Sequence, residues 1–338
     1  MHASRVTIGD VAALAGVSIA TVSRVVNSRY GVAKGTITRV REAIDELDFE
    51  TSLVARSLRS QRTNIIGILV AGIEPFSAEL LKGAARAIED TGFELIVYSG
   101  GMHGQEGWER RSLSRLSGTL TDGTILVTPT VVEVATAQPI VAVDPHVGGS
   151  RLPTIDAQNY EGAISATRHL IELGHRRIGF LAGRPDLESA RRREAGYRTA
   201  LAEAGIEFDS QLVQVGGFTE ETAAAPARAL LSLEPRPSAI FAANDLSAIQ
   251  VLRTATELGL AVPADLSVVG FDNIPESALV DPPLTTVDQS IQAQGEAAVR
   301  LLIDLIERPE RPVDAAVPHI TMPANLVVRQ SCRLVVPS

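Results

Sequence analysis

The chain carries a single cysteine, Cys332, in 338 residues. That excludes an intrachain disulfide framework and fits a reducing compartment. Nowhere is there an uncharged apolar run long enough to span a bilayer, and the stretch from Met1 to Gly16 lacks the apolar segment of a signal peptide. A cytoplasmic protein with no membrane partner is expected. The six histidines, at 2, 103, 146, 169, 175 and 319, are scattered, with no HExxH and no cysteine pair, so neither a metal nor another cofactor is expected. Glycine is not arranged for nucleotides either. Gly67-Ile68-Leu69-Val70-Ala71-Gly72 is not the pyrophosphate fingerprint, and no Walker loop occurs.

Positive charge is scarce behind residue 62. Residues 63–338 hold 22 Lys and Arg against 34 Asp and Glu, a formal −12, whereas residues 1–62 hold nine against six, a formal +3. A small basic head on a large acidic body is what a separate DNA-contacting module looks like, because binding to phosphates needs cations that the body would oppose. The length exceeds that of one hydrophobic core, so two or three units are expected, and 45% apolar content excludes wholesale disorder.

In the head, Thr7 stands as a helix cap before Ile8, Val11, Ala12, Leu14 and Ala15, which are spaced for one apolar helical face. Gly16 stops that helix. Ser18 caps a second one, in which Val22, Val25 and Val26 can face inward while Ile19, Ala20, Thr21 and Arg24 stay exposed. Two short helices about a glycine turn make a helix-turn-helix, whose second helix enters the major groove with its N-terminal residues toward base edges. Thr21 and Ser23 supply hydroxyls for phosphates or bases, and Ile19 and Ala20 offer apolar contact to a thymine methyl. A third helix is expected over about 34–47 from Ile37, Val40, Ile44 and Leu47. The segment Ser52 to Arg59 is about two helical turns, marginal alone and able to order on a partner, with Leu58 beside Arg56 and Arg59 suited to wedge between base steps of a minor groove.

Behind the head, apolar strands alternate with helices: 65–70, then 93–98, 124–127 and 140–143, and after a restart 178–183, 212–215, 239–242 and 267–271. This is βα wrapping of a parallel sheet, done twice, and two such units in series imply a cleft between them. Ligands in such folds bind beyond the C-terminal ends of strands. The residues found there are Phe76, Asp144, Phe218, Asn244 and Asp272, with Arg193 early in the helix after Gly183. Carboxylates and an amide accept from vicinal hydroxyls, a guanidinium donates, and aromatic faces cover a sugar ring. Asp144 and Asp272 could also pair as acid and base, yet paired carboxylates bind sugars without breaking them, and no enzyme is expected.

Several strings together resemble the lactose/galactose repressor family. They are Val6-Thr7-Ile8, Asp10-Val11-Ala12, Leu14-Ala15-Gly16-Val17-Ser18, Ala20-Thr21-Val22-Ser23-Arg24-Val25 with Asn27, and Val54-Ala55-Arg56-Ser57-Leu58. The body adds Gly174-His175-Arg176-Arg177-Ile178-Gly179, Ala195-Gly196-Tyr197, Phe241-Ala242-Ala243-Asn244-Asp245, Val268-Val269-Gly270-Phe271-Asp272-Asn273 and Leu284-Thr285-Thr286-Val287.

The resemblance implies an all-α helix-turn-helix head joined by a short hinge helix to an α/β periplasmic-binding-protein-like core of two Rossmann-like lobes. The boundaries are 1–50 for the head, 51–62 for the hinge and 63–338 for the core. Within the core the N-lobe takes about 63–160 plus 290–325, and the C-lobe about 161–289. The implied DNA-binding set is Thr7, Ser18, Ile19, Ala20, Thr21, Ser23, Arg24, Asn27, Lys34, Ala55, Arg56 and Leu58. The effector set is Phe76, Asp144, Arg193, Phe218, Asn244 and Asp272.

The implied protein is a repressor of a sugar-utilisation operon. It binds a double-stranded, pseudo-palindromic operator as a homodimer, through a helix near 78–90 and a Pro-rich patch at 278–284. A mono- or oligosaccharide in the cleft controls its operator affinity. The family's effectors are mostly sugars, with nucleobases in a minority branch. A regulator sensing a purine or other non-sugar corepressor is the alternative, followed by a cytosolic sugar-binding protein with a vestigial head. The chain departs from the family at Phe49-Glu50-Thr51-Ser52, where a basic residue and a proline are usual, and at Ala33, where a capping serine is often found. With no leucine heptad after Cys332, a tetramer is not expected.

Overall fold

Apolar runs bounded by capping residues become the elements of a computed structural model that describes residues 6–26, 31–47, 62–100, 108–116, 120–130, 138–146, 151–309 and 316–335. The chain divides into two units, Met1–Thr63 and Asn64–Ser338. The expectations for Asn27, for Phe49 to Ser52, and for Ala55, Arg56 and Leu58 lie outside the described residues.

The first unit has three helices, α1 (Ile8–Ala15), α2 (Ile19–Val26) and α3 (Lys34–Glu46). At the start of α1, the Asp10 carboxylate accepts from the Thr7 amide at 2.8 Å and from the Thr7 hydroxyl at 2.7 Å. Gly16, at φ 61°, ends it in a left-handed turn that lets the Val17 amide reach the Ala12 carbonyl at 3.0 Å. Ser18 Oγ accepts from the Thr21 amide at 3.2 Å and so caps α2. Ala33 precedes α3 with no side-chain cap. Val11, Ala12, Ala15, Val22, Val25, Val40 and Ala43 form the buried core. Leu14, expected to face inward, is 46% exposed. At 3.6 residues per turn it lies roughly 100° from the centre of the stripe that Ile8, Val11, Ala12 and Ala15 define, and Ala15 takes the inner place.

The second unit is built on two parallel sheets. One sheet runs β11-β5-β4-β3-β1-β2, from β1 (Ile65–Val70), β2 (Glu94–Ser99), β3 (Gly123–Val127), β4 (Ile140–Val143), β5 (Thr154–Ala157) and β11 (His319–Met322). The other runs β7-β6-β8-β9, from β6 (Ile178–Ala182), β7 (Val213–Val215), β8 (Ala239–Ala242) and β9 (Ser267–Val269). Every residue of β1, β3, β4, β5, β6, β8 and β9 is buried, as expected of strands covered on both faces. Helices α4 (Pro75–Ile88), α5 (Trp108–Leu116) and α11 (Ile291–Glu307) belong with the first sheet. Helices α6 (Asn159–Glu172), α7 (Glu188–Glu203), α8 (Glu220–Leu231), α9 (Asp245–Glu257) and the short α10 (Glu276–Leu279) belong with the second.

The chain passes between these lobes three times: from β5 into α6, from β10 (Thr286–Asp288) into α11, and from β11 into β12 (Asn325–Val327), which pairs antiparallel with β10. The helix near 78–90, expected to carry a dimer contact, starts at Pro75 and gives Leu80, Gly83 and Ala84 to the interior against α11. The approach is so close that a Cβ on Gly83 would lie 1.9 Å from the Gln292 carbonyl oxygen.

Candidate effector cleft and DNA-facing helix

Both sheets point the C-terminal ends of their strands at one cavity of about 510 Å³. From the first lobe come Thr128 and Thr130 after β3, Asp144 and His146 after β4, and Phe76. From the second come Phe218 after β7, Asn244 after β8, Asp272 beyond β9, and Ser189 and Arg193 on α7. All six residues selected from the sequence for the effector therefore line the same space. Phe76 does so from the first turn of α4, which Pro75 starts.

Arg193 is 3% exposed and organises the floor. Its Nε donates to Asn159 Oδ1 at 2.9 Å, its Nη1 to the Ala243 carbonyl at 2.5 Å and to Asp272 Oδ1 at 3.3 Å, and its Nη2 to Gln289 Oε1 at 3.5 Å. The guanidinium lies 3.8 Å from the ring centroid of Phe271 and 5.9 Å from that of Phe218. It sits in the second turn of α7, which begins at Glu188. Asp272 accepts in addition from Gln289 Nε2 at 2.5 Å. Burial, with the neighbouring Asp144 adding to it, raises the Asp272 carboxyl to about 7 against the pull of Arg193. Burial also raises Asp144, opposed by Arg193 and by the Ser189 hydroxyl, which donates to Asp144 Oδ2 at 3.2 Å.

Asp272 thus senses Asp144 across the lobes. A carboxyl held near neutrality can donate as well as accept, which widens what the floor can recognise. Three lining residues that are not glycine have positive φ: Thr128 at 46°, Asp144 at 45° and Asp272 at 117°. Such conformations cost of order 1–3 kcal/mol each and gather where a side chain must be aimed.

Asn244 departs from the expectation of a free amide. Its Oδ1 accepts from the Ser247 amide at 3.0 Å, capping α9, and its Nδ2 donates to the Phe218 carbonyl at 3.0 Å. It therefore fixes the loop that carries Phe218. The sequence reading missed Gln289, Ser189, Thr128, Thr130 and His146. Thr130 is held by Glu109, a fully buried acid on α5 that accepts from its amide at 2.5 Å and its hydroxyl at 2.8 Å. The strand-end rule that found Asp144 extends two residues further to His146. Gln289 follows β10, a strand too short to be recognised by its pattern.

On the head, Ile19 is 50% exposed, and Ala20 and Arg24 are exposed on the side of α2 opposite Val22 and Val25. Ser23 is half-buried, and Lys34 is exposed at the first residue of α3. The Ser18 and Thr21 hydroxyls lie 2.9 Å apart and the Thr7 hydroxyl donates to Asp10, so these three groups are already engaged in local capping. No single described helix is long and apolar enough to cross a membrane.

Residues 7–52 match the lacI family of bacterial regulatory proteins, and residues 167–332 match a periplasmic binding protein-like domain. The transcriptional regulator CelR of Thermobifida fusca is 34% identical, over 97% of this chain and 98% of its own. The transcriptional repressor PurR of Aliivibrio fischeri strain MJ11 is also 34% identical, over 96% and 99%, and PurR of Haemophilus influenzae is 32% identical, over 97% and 98%. Among solved structures, the CelR–cellobiose complex has a TM-score of 0.71 at 33% identity, covering 97% of this chain and all of that one. The lac repressor dimer bound to operator and the anti-inducer ONPF has a TM-score of 0.86 at 27% identity, covering 98% and 100%. With its helix-turn-helix unit and its two-lobed core matched over nearly their whole length, this chain belongs to the lacI family of bacterial transcriptional regulators, which are not enzymes.

Proposed function

We propose that this regulator is a repressor that binds a pseudo-palindromic operator as a homodimer, and that a small uncharged ring compound in the cleft sets its affinity for DNA. In this reading the head is 1–50, the hinge 51–62 and the core 63–338. Ile19, Ala20 and Arg24 read base edges, and Leu58 of the hinge wedges the minor groove. The observation that carries the effector's place is the convergence of Phe76, Asp144, Arg193, Phe218 and Asp272 on one 510 Å³ cavity between lobes.

A purine or other non-sugar corepressor is the leading reading of the ligand's class. Phe76 from one lobe and Phe218 from the other offer apolar faces to a flat ring, while Asp272, Gln289 and Asp144 offer donors and acceptors to its edge. Relatives named PurR at 32–35% identity, from several genera, add weight to it. The second reading is the sugar expected from the sequence. It is supported by the pair of carboxyls, Asp144 and Asp272, and by the similarity to a regulator solved with cellobiose.

A ligand touching both lobes favours one angle between them, and only its difference in affinity for the two arrangements can move the equilibrium. The coupling is reciprocal, so whatever the ligand does to operator affinity, the operator does to ligand affinity. Thermal unfolding of the full chain against free purine bases and against mono- and oligosaccharides separates the readings, since a ligand bound only by the folded form raises its stability by about 2.7 kcal/mol at a hundred times its Kd. A gel shift on the protein's own upstream DNA, with and without the ligand that scores, then tests the regulatory step. A ligand that binds the cleft and leaves the shift unchanged at every salt concentration would reject it.

A further inference from the structure

His146 is the lining residue whose backbone is fixed and whose ring is not. Its amide donates to the Pro129 carbonyl at 3.0 Å, and its own carbonyl accepts from the Glu188 amide at 3.1 Å and from Arg191 Nη2 at 3.4 Å, both on α7 of the other lobe. The residue is 6% exposed, and no hydrogen bond is made by its imidazole to any described residue. Asp186 Oδ2 is 3.6 Å from Nδ1, beyond hydrogen-bond reach. Burial, helped by Arg184 and Arg191 and opposed by Asp186, lowers the ring to about 4, so it is neutral near pH 7.

An imidazole in the wall of a cavity that makes no hydrogen bond to the described residues has its donor and acceptor nitrogens available to a partner from outside. The ring lines the cavity beside Thr128, Thr130, Asp144 and Leu187, so that partner has a place to sit. We propose that His146 is an effector contact and a determinant of specificity, presenting one donor and one acceptor nitrogen to a hydroxyl, or to an adjacent N–H and N pair, on the edge of the ligand that faces the first lobe. The inference rests on the cleft being the effector site. It deepens that reading by requiring a second polar edge on the ligand, away from the group held at Arg193 and Asp272.

Two full-length variants test it, His146→Leu and His146→Gln. Without ligand, His146→Leu is expected to melt within about 4 °C of the wild type, because the imidazole it removes makes no hydrogen bond within the described residues. A fall of more than about 4 °C would show that the ring works for the fold and would overturn the proposal. With cellobiose and with the free purine bases as calorimetric probes, whichever binds the wild type is expected to lose about tenfold or more in affinity to His146→Leu. His146→Gln, which keeps a donor and an acceptor, is expected to stay within about threefold. Equal affinity in His146→Leu and wild type also overturns it. If no probe binds the wild type, the assignment of the effector's class fails, and the melting comparison decides the role of His146 by itself.

Discussion

Arg193 Nη1 lies 3.3 Å from Asp272 Oδ1, with both side chains more than nine-tenths buried. A buried ion pair of this kind is a poor target for a single substitution. Arg193→Ala leaves the Asp272 carboxyl without its countercharge and takes the donor from Asn159 Oδ1 and the Ala243 carbonyl, and is expected to cost about 3–5 kcal/mol of stability, enough to blur any loss of effector response. The double variant Arg193→Met, Asp272→Asn removes both charges together and is expected to cost much less while abolishing the response to effector. Urea unfolding of the single and double variants gives the two costs. A double variant no more stable than Arg193→Ala would mean that the pair is worth more than its desolvation.

The cleft contains two groups whose titration acts on stability in opposite senses. Asp272 holds its proton up to about pH 7, against an ordinary value of 3.8. The folded state therefore binds that proton more tightly than the unfolded chain, and the stability this contributes is complete at low pH and lost as pH rises from about 4 to about 7. His146 has the opposite sign. Its ring is lowered from 6.5 to about 4, so its contribution is complete above about pH 6.5 and lost as pH falls toward 4. Melting curves of Asp272→Asn and His146→Leu against wild type, over about pH 5 to 8, should separate the two. Asp272→Asn is expected to gain on wild type as pH rises and His146→Leu to gain as pH falls. A flat difference for Asp272→Asn would show that Arg193 keeps the carboxyl ionised throughout.

At the crossing of α4 and α11 backbone meets backbone, and there the interior has no slack. A methyl on Gly83 would lie 1.9 Å from the Gln292 oxygen, and one on Gly295 2.1 Å from the Leu80 oxygen. Gly83→Ala is expected to destabilise the core by about 1–3 kcal/mol through overpacking. A methyl on Gly35, in α3 of the head, would meet nothing within 4 Å, and Gly35→Ala is expected to stabilise the head by about 0.5–1 kcal/mol through helix propensity. Calorimetric unfolding of the two variants checks both signs. A neutral Gly83→Ala would mean that the helices separate easily.

Long apolar strands and the helices between them were legible because burial on both faces leaves a continuous hydrophobic run, as in Ile65–Val70 and Ala239–Ala242. The strands Thr154–Ala157, Thr286–Asp288, His319–Met322 and Asn325–Val327 were not. They are three or four residues long, carry Thr, Asp, His or Asn, and owe their pairing to a chain that returns between lobes from far along the sequence. The cleft divides in the same way. Phe76, Asp144, Phe218 and Asp272 could be found because strand ends mark the site. Gln289 and His146 lie just past the residues that rule selects, and the Asn244 amide is spent on a cap at Ser247 and on the Phe218 carbonyl, 26 residues away.

On the head, exposure and capping make different demands on neighbouring residues, and substitutions should reveal which is which. Ser18 Oγ accepts from the Thr21 amide, so Ser18→Ala is expected to lower head stability by about 0.5–2 kcal/mol and to weaken DNA binding indirectly, whatever the sequence of the DNA. Arg24 is exposed in the last turn of α2, so Arg24→Ala should leave the melting temperature in place and change which operator positions tolerate substitution. Lys34→Ala should weaken binding evenly across sequences and reduce the salt slope by about 1, as loss of a phosphate contact does. Gel-shift titrations on an operator panel at several salt concentrations, read beside thermal unfolding, separate the three. If Arg24→Ala weakens every sequence equally and lowers the salt slope as Lys34→Ala does, Arg24 contacts the backbone and the reading of bases falls to Ile19 and Ala20.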